Sequence, residues 1–501
     1  MKARPLFILV SIFLIVGLTL VSVFLWRPAY WILIVFSPFF LIGVSDMLQN
    51  KKAIKKNYPL VGQIRYFLES FRPEIMQYFV ETDTEGTPIN RIFRSLVYQR
   101  AKDITDTTPF GTKLNLYQTG YEMMAHSMFP KSKSALDPHP TTTIGNFQCS
   151  QPYQSSIFNV SAMSFGSLSK NAVLALNKGA MIGGFTHNTG EGGISSYHLT
   201  HGGDLVWQIG TGYFGCRTAE GDFCADTFQK NALHENVKMI ELKLSQGAKP
   251  GHGGMLPAAK NTVEIAKIRN IAPHTDVHSP PSHKAFSDTD GLIRFIDRLR
   301  KLSDGKPVGF KLCIGDKQEF VQICESMKKL EIYPDFITVD GGEGGTGAAP
   351  VEFSNSLGLP LREGLFFVNK TLKAYGFKEH IKLIASGKII SAFHMARVFA
   401  LGADVCSSAR AMMLAIGCIQ ALQCNSDTCP VGVATQNKSL MKGLDVENKA
   451  QRVANYHKNT IESFVALIAA AGLSHYEEIQ PKHIIHRKGP NELVSYEEIY
   501  V

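Results

Sequence analysis

Two uninterrupted apolar runs open the chain, and from about residue 155 a repeating rhythm of short strands and helices replaces them. Pro5 to Trp26 carries no charge; Arg27 and Pro28 interrupt, and AYWILIVFSPFFLIGV (29–44) follows, closed by Asp46. A helix crossing a bilayer needs about 20 apolar residues, with a lower limit near 17. The first run meets that length and the second lies near the limit. A cleaved signal peptide has a shorter apolar core with a small-residue cleavage site behind it, and this segment fits neither feature. Two such runs with almost no loop predict a transmembrane helical hairpin over residues 1–50. Lys2 and Arg4 precede it, and Lys51, Lys52, Lys55 and Lys56 follow. Positive flanks stay on the cytoplasmic side. The pattern therefore predicts both ends, and all that follows, on the cytoplasmic face of an inner or plasma membrane.

Residues 51–150 read as a polar, helix-rich connector. RYFLESFRPEIMQYF (65–79) and INRIFRSLVYQRAK (89–102) have apolar positions at helical spacing. From about 155, β-branched or apolar runs ending in small and polar residues recur at 157–166, 183–193, 237–247, 275–280, 307–315, 334–345, 381–388 and 403–412. Helical stretches such as SKNAVLALNKGAMI, TVEIAKIRNI, DGLIRFIDRLRKL, EFVQICESMKKL, EGLFFVNKTLKAYG and SAFHMARVFALG alternate with them. Eight strand–helix units over about 260 residues match a (β/α)8 TIM barrel, whose site lies at the C-terminal strand ends. Chemically rich residues stand there in nearly every run: Met163 and Ser164, Asn188 and Glu191, Lys243 and Gln246, Lys311, Asp340, Ser386 and Arg410. A doubly wound sheet would decorate one switch point only. The barrel domain is placed at 151–475, with a C-terminal tail at 476–501.

Gly342, Gly344 and Gly347 satisfy G-x-G-x-x-G, a dinucleotide fingerprint when a helix starts at once behind it. Here Ala348, Ala349 and Pro350 follow, so Asp340, Gly341, Gly342, Gly344, Gly345 and Thr346 read better as a close backbone approach to a flavin. Loops after the last two barrel strands commonly take phosphate, and Ser386, Gly387 and Arg410 sit in them. Lys311, flanked by apolar residues, is placed by the flavin's N1–O2 edge. Cys418, Cys424 and Cys429 form C-x5-C-x4-C followed by Pro430. Three thiolates on a short irregular segment suit an iron–sulfur cluster, whereas structural zinc takes four ligands in two close pairs. The spacing of His187, His198, His201 and His252 is too irregular for a metal set.

Composition adds little. The 501 residues are 45% hydrophobic and 19% charged, with a formal net charge of +9. The densest basic run follows the apolar hairpin, which ties the charge to a membrane and gives no nucleic-acid footprint. Nine cysteines in no repeating frame argue against a disulfide scaffold.

The motifs SAMSFGSLS, NTGEGG, ELKLSQGAKPGHGGMLP, SPPSH, DGGEGGTGA and CNSDTCPVGVATQ together resemble the FMN-binding synthase domain of glutamate synthase, in that family's order, across about residues 150–475. The resemblance implies FMN in a barrel, and a [3Fe–4S] cluster on Cys418, Cys424 and Cys429 that passes electrons to it. The implied reaction reduces 2-iminoglutarate, formed from 2-oxoglutarate and ammonia, to glutamate. Lys249 and Arg269 match positions that bind the oxoacid, and Glu191 matches a glutamate near the site. Met255 stands where the family usually has glutamine, which leaves another imine, such as that of an N-alkylated glutamate, as an alternative substrate. An electron-transfer subunit of a membrane complex is the other alternative. No glutaminase nucleophile is read in the chain, so ammonia is expected free or from a partner. Electrons are expected from an external donor, a ferredoxin or an NAD(P)H-oxidising protein.

Overall fold

The computed structural model describes residues 3–104 and 107–500; Lys2, one of the flanking charges, lies outside them. The chain divides into two compact units between Arg91 and Ile92. In the first, helices Ala3–Phe24 and Tyr30–Leu48 are joined by one turn, Arg27–Ala29. Both are long and apolar enough to cross a membrane. Gly43 sets their approach, since a Cβ there would lie 2.1 Å from the Phe7 ring. Phe13, Val23, Phe24 and Leu41 are exposed, an apolar surface that water disfavours. Buried Asp46 accepts the Leu60 N–H at 3.1 Å and the Gln63 amide at 2.7 Å, which ties the hairpin to helix Val61–Ser70.

The second unit is a closed barrel of eight parallel strands. In chain order they are β1 Phe158–Val160, β2 His187–Asn188, β3 Leu205–Ile209, β4 Val237–Lys243, β5 Val308–Leu312, β6 Phe336–Asp340, β7 Lys382–Ser386 and β8 Val405–Ser408. β8 closes on β1 through Cys406↔Phe158 and Ser408↔Val160. Seven of these strands lie in the runs read from sequence. The eighth does not: 275–280 is no barrel strand, because Val277–His278 pairs antiparallel with Met255–Leu256 in a side hairpin. The missing barrel strand is β3, LVWQI, buried throughout. The six helices read from sequence are formed, and five of them start on a side chain that accepts a first-turn N–H: Ser169, Thr262, Asp288, Asp316 and Ser391. Such caps satisfy donors that the helix itself leaves unpaired.

Register fixes what faces the barrel axis, because alternate residues of a strand share a face. At the N-terminal end Val206, Met239, Phe336, Ile384 and Val405 form one apolar cluster. The hairpin of Thr141–Ile144 and Tyr153–Ser156 plugs it, with Ile144 and Tyr153 packed into the cluster. One layer higher, Glu241 accepts from Asn188 at 2.9 Å, from the Thr338 hydroxyl at 2.6 Å and from Gln208 at 2.5 Å. Higher still come Lys243 and Lys311, paired in register across β4 and β5.

Two long-range elements complete the unit. Helix Val446–Ala470 is held by Arg100, which donates to Thr460 and Ser463. Strand Glu122–Met124 pairs with Ile484–Gly489 of the tail. Buried there, Glu122 receives Arg362, Arg397 and the Tyr496 hydroxyl. Burial alone would raise its carboxyl, but Arg397, Tyr496 and Arg362 outweigh that and hold it low.

Candidate active site

The C-terminal mouth of the barrel gathers buried charge. Glu191, in the one-turn helix Gly190–Gly192 after β2, pairs with Lys243 at 3.0 Å. Gly210 and Gly254 make room for its carboxylate, since a Cβ on Gly254 would meet Glu191 Oε1 at 2.5 Å. Lys249 and Arg269 also lie within electrostatic reach of Glu191. Burial alone would raise the Glu191 carboxyl, but Lys243, Lys249 and Arg269 together hold it below the usual range. Burial lowers Lys249 to about 8 and Arg269 to about 10, each partly restored by Glu191. Three cations thus face one carboxylate, an excess of two positive charges. Leaving buried charge uncompensated is costly, so this pocket favours an anion. The three cations meet few acceptors. Lys249 Nζ donates to Ala348 O at 2.9 Å and Arg269 to Phe165 O at 3.0 Å, while Arg269 Nε has no partner among the described residues.

Lys243 stood among the strand-end residues in the sequence without a role, yet it is the direct partner of Glu191. His283 is a second addition: it bridges the Tyr213 hydroxyl at 3.1 Å and Lys243 O at 2.9 Å. Burial lowers it to about 4, so it stays neutral. The SPPSH motif was the available signal.

Lys311 is 5% exposed, and no hydrogen bond or ion pair of its Nζ is found among the described residues. Its register neighbours are Lys243 and Thr338. Thr338 already donates to Glu241 on the barrel axis, so Lys311 is an unpaired ammonium facing the same interior. Met163 and Ser164 lie against the β2 loop, where a Cβ on Gly190 would stand 2.7 Å from Ser164 N. Asn188 is committed to Glu241.

Part of the glycine run after β6 is hydrogen-bonded within the protein. The N–H groups of Gly341, Gly342 and Gly344 donate to Ser386 O, Leu359 O and Gly341 O, each at 2.8 Å. Asp340 accepts the Gly247 N–H at 2.8 Å, and Gln246 reaches Thr346 at 3.3 Å. A Cβ on Gly345 would meet Arg410 Nε at 2.7 Å. Arg410 donates to Glu343 O at 2.6 Å. Lys388, behind Gly387 and missed in the sequence, lies close enough to Arg410 to be lowered by it after burial. Ser386 meets Ser161 at 3.2 Å. This end of β7 and β8 therefore offers two cations and two hydroxyls.

Cys418, Cys424 and Cys429 lie on one loop, 417–436, that folds over the segment after β1. Gln436 donates to Gly166 O at 3.1 Å and Leu168 O at 2.9 Å, and Ser169 to Gly432 O at 2.6 Å. Burial pushes the Cys418 thiol up to about 12; the Gln420 N–H at 3.4 Å opposes, and Cys424 and Cys429 add to the rise. Each of the three thiols thus lies within electrostatic reach of the other two. Gln420, Leu422 and Asp427 adopt positive φ of 58°, 56° and 63°, a strained backbone that clusters at functional sites. Among the described residues no three His, Cys, Asp or Glu groups are set to hold a single metal ion.

Fold and site define a (β/α)8-barrel enzyme with a cationic, anion-receiving mouth. Residues 104–474 match the family model described as the conserved region in glutamate synthase. The chain is 37% identical over 497 residues to the glutamate synthase large subunit-like protein YerD of Bacillus subtilis, covering 91% of this chain and 94% of that one. An archaeal glutamate synthase [NADPH] of Methanocaldococcus jannaschii is 32% identical, over 64% of this chain and 60% of its own length. The large chain of the Bacillus subtilis NADPH enzyme is 31% identical over 64% of this chain but only 20% of its own length. A solved mandelate oxidase superposes with a TM-score of 0.42 and 13% identity, over 86% of this chain and 99% of that one. The chain belongs to the glutamate synthase family and is an oxidoreductase of that type.

Proposed function

We propose that this chain reduces 2-iminoglutarate, formed from 2-oxoglutarate and ammonia, to L-glutamate, using FMN and a [3Fe–4S] cluster. The observation that carries the reading is the excess of two positive charges around Glu191, which matches a dicarboxylate. Arg269 and Lys249 hold the two carboxylates, Arg through its paired N–H groups. Lys243 keeps Glu191 ionised, and Glu191 is placed to receive the imine's N–H. When bound, FMN would supply the hydride and the cluster would supply electrons to the flavin. Lys311 fits the flavin because it is a buried lysine without a partner among the described residues, suited to an anionic ring edge. Ser386, Gly387, Lys388 and Arg410 fit its phosphate. The cysteine loop fits a cluster, which spreads its thiolates over several irons and so needs no single-ion geometry.

The two apolar helices and their basic flanks support anchoring in the cytoplasmic membrane with the barrel inside. A reporter fused after the last residue should be active only as a cytoplasmic type, and periplasmic activity would refute that topology.

The test is anaerobic turnover of the purified full chain with a reduced dye, 2-oxoglutarate and ammonium. Glutamate should form, and serine at any of the three cysteines should remove the iron. No glutamate from a flavin- and iron-loaded protein would reject the reading. One observation favours a second reading, an N-alkylated imine. Met255 adjoins Gly254, which touches Glu191, and it brings a thioether where a polar donor would select ammonia. Methylamine outcompeting ammonium in the same assay would select it.

A further inference from the structure

Lys260 is 2% exposed. Its ammonium has three protons, and all three are donated to main-chain carbonyls: Ser167 O at 2.7 Å, Ala434 O at 3.0 Å and Cys424 O at 3.1 Å. Its hydrogen bonding is therefore complete while its charge is not. Among the described residues no carboxylate lies within ion-pair distance of it. Asp427, Cys424 and Cys429 are the acidic groups within electrostatic reach of it, in that order. Asp427 is already engaged by the Thr435 hydroxyl at 3.2 Å and the Gln436 N–H at 2.6 Å. Neutral carbonyls satisfy a buried cation's donors, but an opposite charge is what offsets its desolvation. Two of the three cysteines are the remaining candidates for that charge.

We infer that Lys260 is the counter-cation of the cysteine loop, a positioning residue that raises the reduction potential of a cluster bound there. This rests on the cluster reading above. A cluster carrying three thiolates is an anion, and its potential depends on net charge and on hydrogen bonds around the sulfurs. An ammonium fixed beside it favours the reduced, more negative form. The same residue fixes distance. Lys260 precedes the helix Val263–Arg269 and Arg269 ends it, and they bind alternate carbonyls of the segment after β1, Ser167 O and Phe165 O. That segment is thereby stapled between the cysteine loop and the anion pocket, so charge and spacing are set by one side chain.

The test uses the full chain, purified without oxygen, as wild type, Lys260→Gln and Lys260→Arg. Iron content is measured first, and the cluster's potential is then read by redox titration of its EPR signal. Gln keeps polar donors but no charge, and Arg keeps the charge. The Gln variant should shift to a more negative potential, while Arg stays near wild type. If Gln loses the iron and Arg retains it, the charge requirement is equally supported. A Gln variant with full iron and the wild-type potential overturns the inference, as does loss of iron from both variants, which marks Lys260 as a shape-specific strut. A wild-type chain without iron refutes the cluster reading itself and is told apart by the first measurement.

Discussion

The two ends of the barrel obey opposite rules. At the N-terminal end, side chains on the axis are Val206, Met239, Phe336, Ile384 and Val405, sealed by Ile144. At the C-terminal end the axis carries Lys243 and Lys311, with Glu191, Lys249 and Arg269 around them. The change takes two residues per strand: Met239, Glu241 and Lys243 climb from apolar through hydrogen-bonded to charged. The first end gains stability by leaving water. The second gives some up, because it keeps more positive charge than it pairs. A site that is complete without substrate has little reason to bind one, and this mouth becomes electrostatically complete only with an anion present.

The comparison breaks most visibly at the bottom. Phe336→Ala should cost about 3–5 kcal/mol of stability, measured by denaturant unfolding, with the oxoacid KM unchanged. A KM change there, without loss of stability, would dissolve the division of labour.

At the mouth the effects should reverse. Arg269→Ala or Lys249→Ala removes one of the excess cations, so the unfolding midpoint should hold or rise. Loss of a charged clamp costs about 2–5 kcal/mol of binding, so kcat/KM for 2-oxoglutarate should fall roughly 30-fold or more. A variant that unfolds more easily while binding normally would contradict the account.

The pH dependence sharpens the point further. Lys249 is lowered to about 8, so burial disfavours its charged form in the empty site. A dicarboxylate binds the protonated form. Oxoacid affinity should be flat below about pH 8 and fall above it, by up to about tenfold per unit for a single proton. Lys249→Arg, which stays charged, should flatten the profile. A KM rising as pH falls below 8 would have the wrong sign.

How much of this was legible in sequence depended on locality. Helices with strong caps and periodicity, such as Thr289–Leu302 behind Asp288, stood where the pattern put them. β3 was missed because only the single turn Ser196–Leu199 precedes it, so the strand–helix rhythm skips a beat. TDVHSP took its place because an isolated β-branched run does not reveal its partner. The pairing of Glu122–Met124 with Ile484–Gly489 joins segments too far apart in the chain for any local signal. For the site, chemically rich strand ends were visible, but Lys243 and Lys260 declared themselves only through their partners. A buried lysine and a surface lysine read alike until register and burial are known. For the glycines after β6 the structure adds that the N–H groups of Gly341, Gly342 and Gly344 are committed to Ser386, Leu359 and Gly341; a close approach of this backbone to a flavin stays a proposal.

The central claim is that the barrel mouth selects a doubly charged oxoacid, and single-turnover flavin reoxidation tests it most directly. The reduced full chain, held without oxygen, is mixed with ammonium and either 2-oxoglutarate or the monocarboxylate pyruvate. Reoxidation should require both ammonium and oxoacid, and at equal subsaturating concentration should be roughly 30-fold or more faster with 2-oxoglutarate, the equivalent of about 2 kcal/mol for the second carboxylate. Equal rates with the two acids, or reoxidation indifferent to either, would contradict the account.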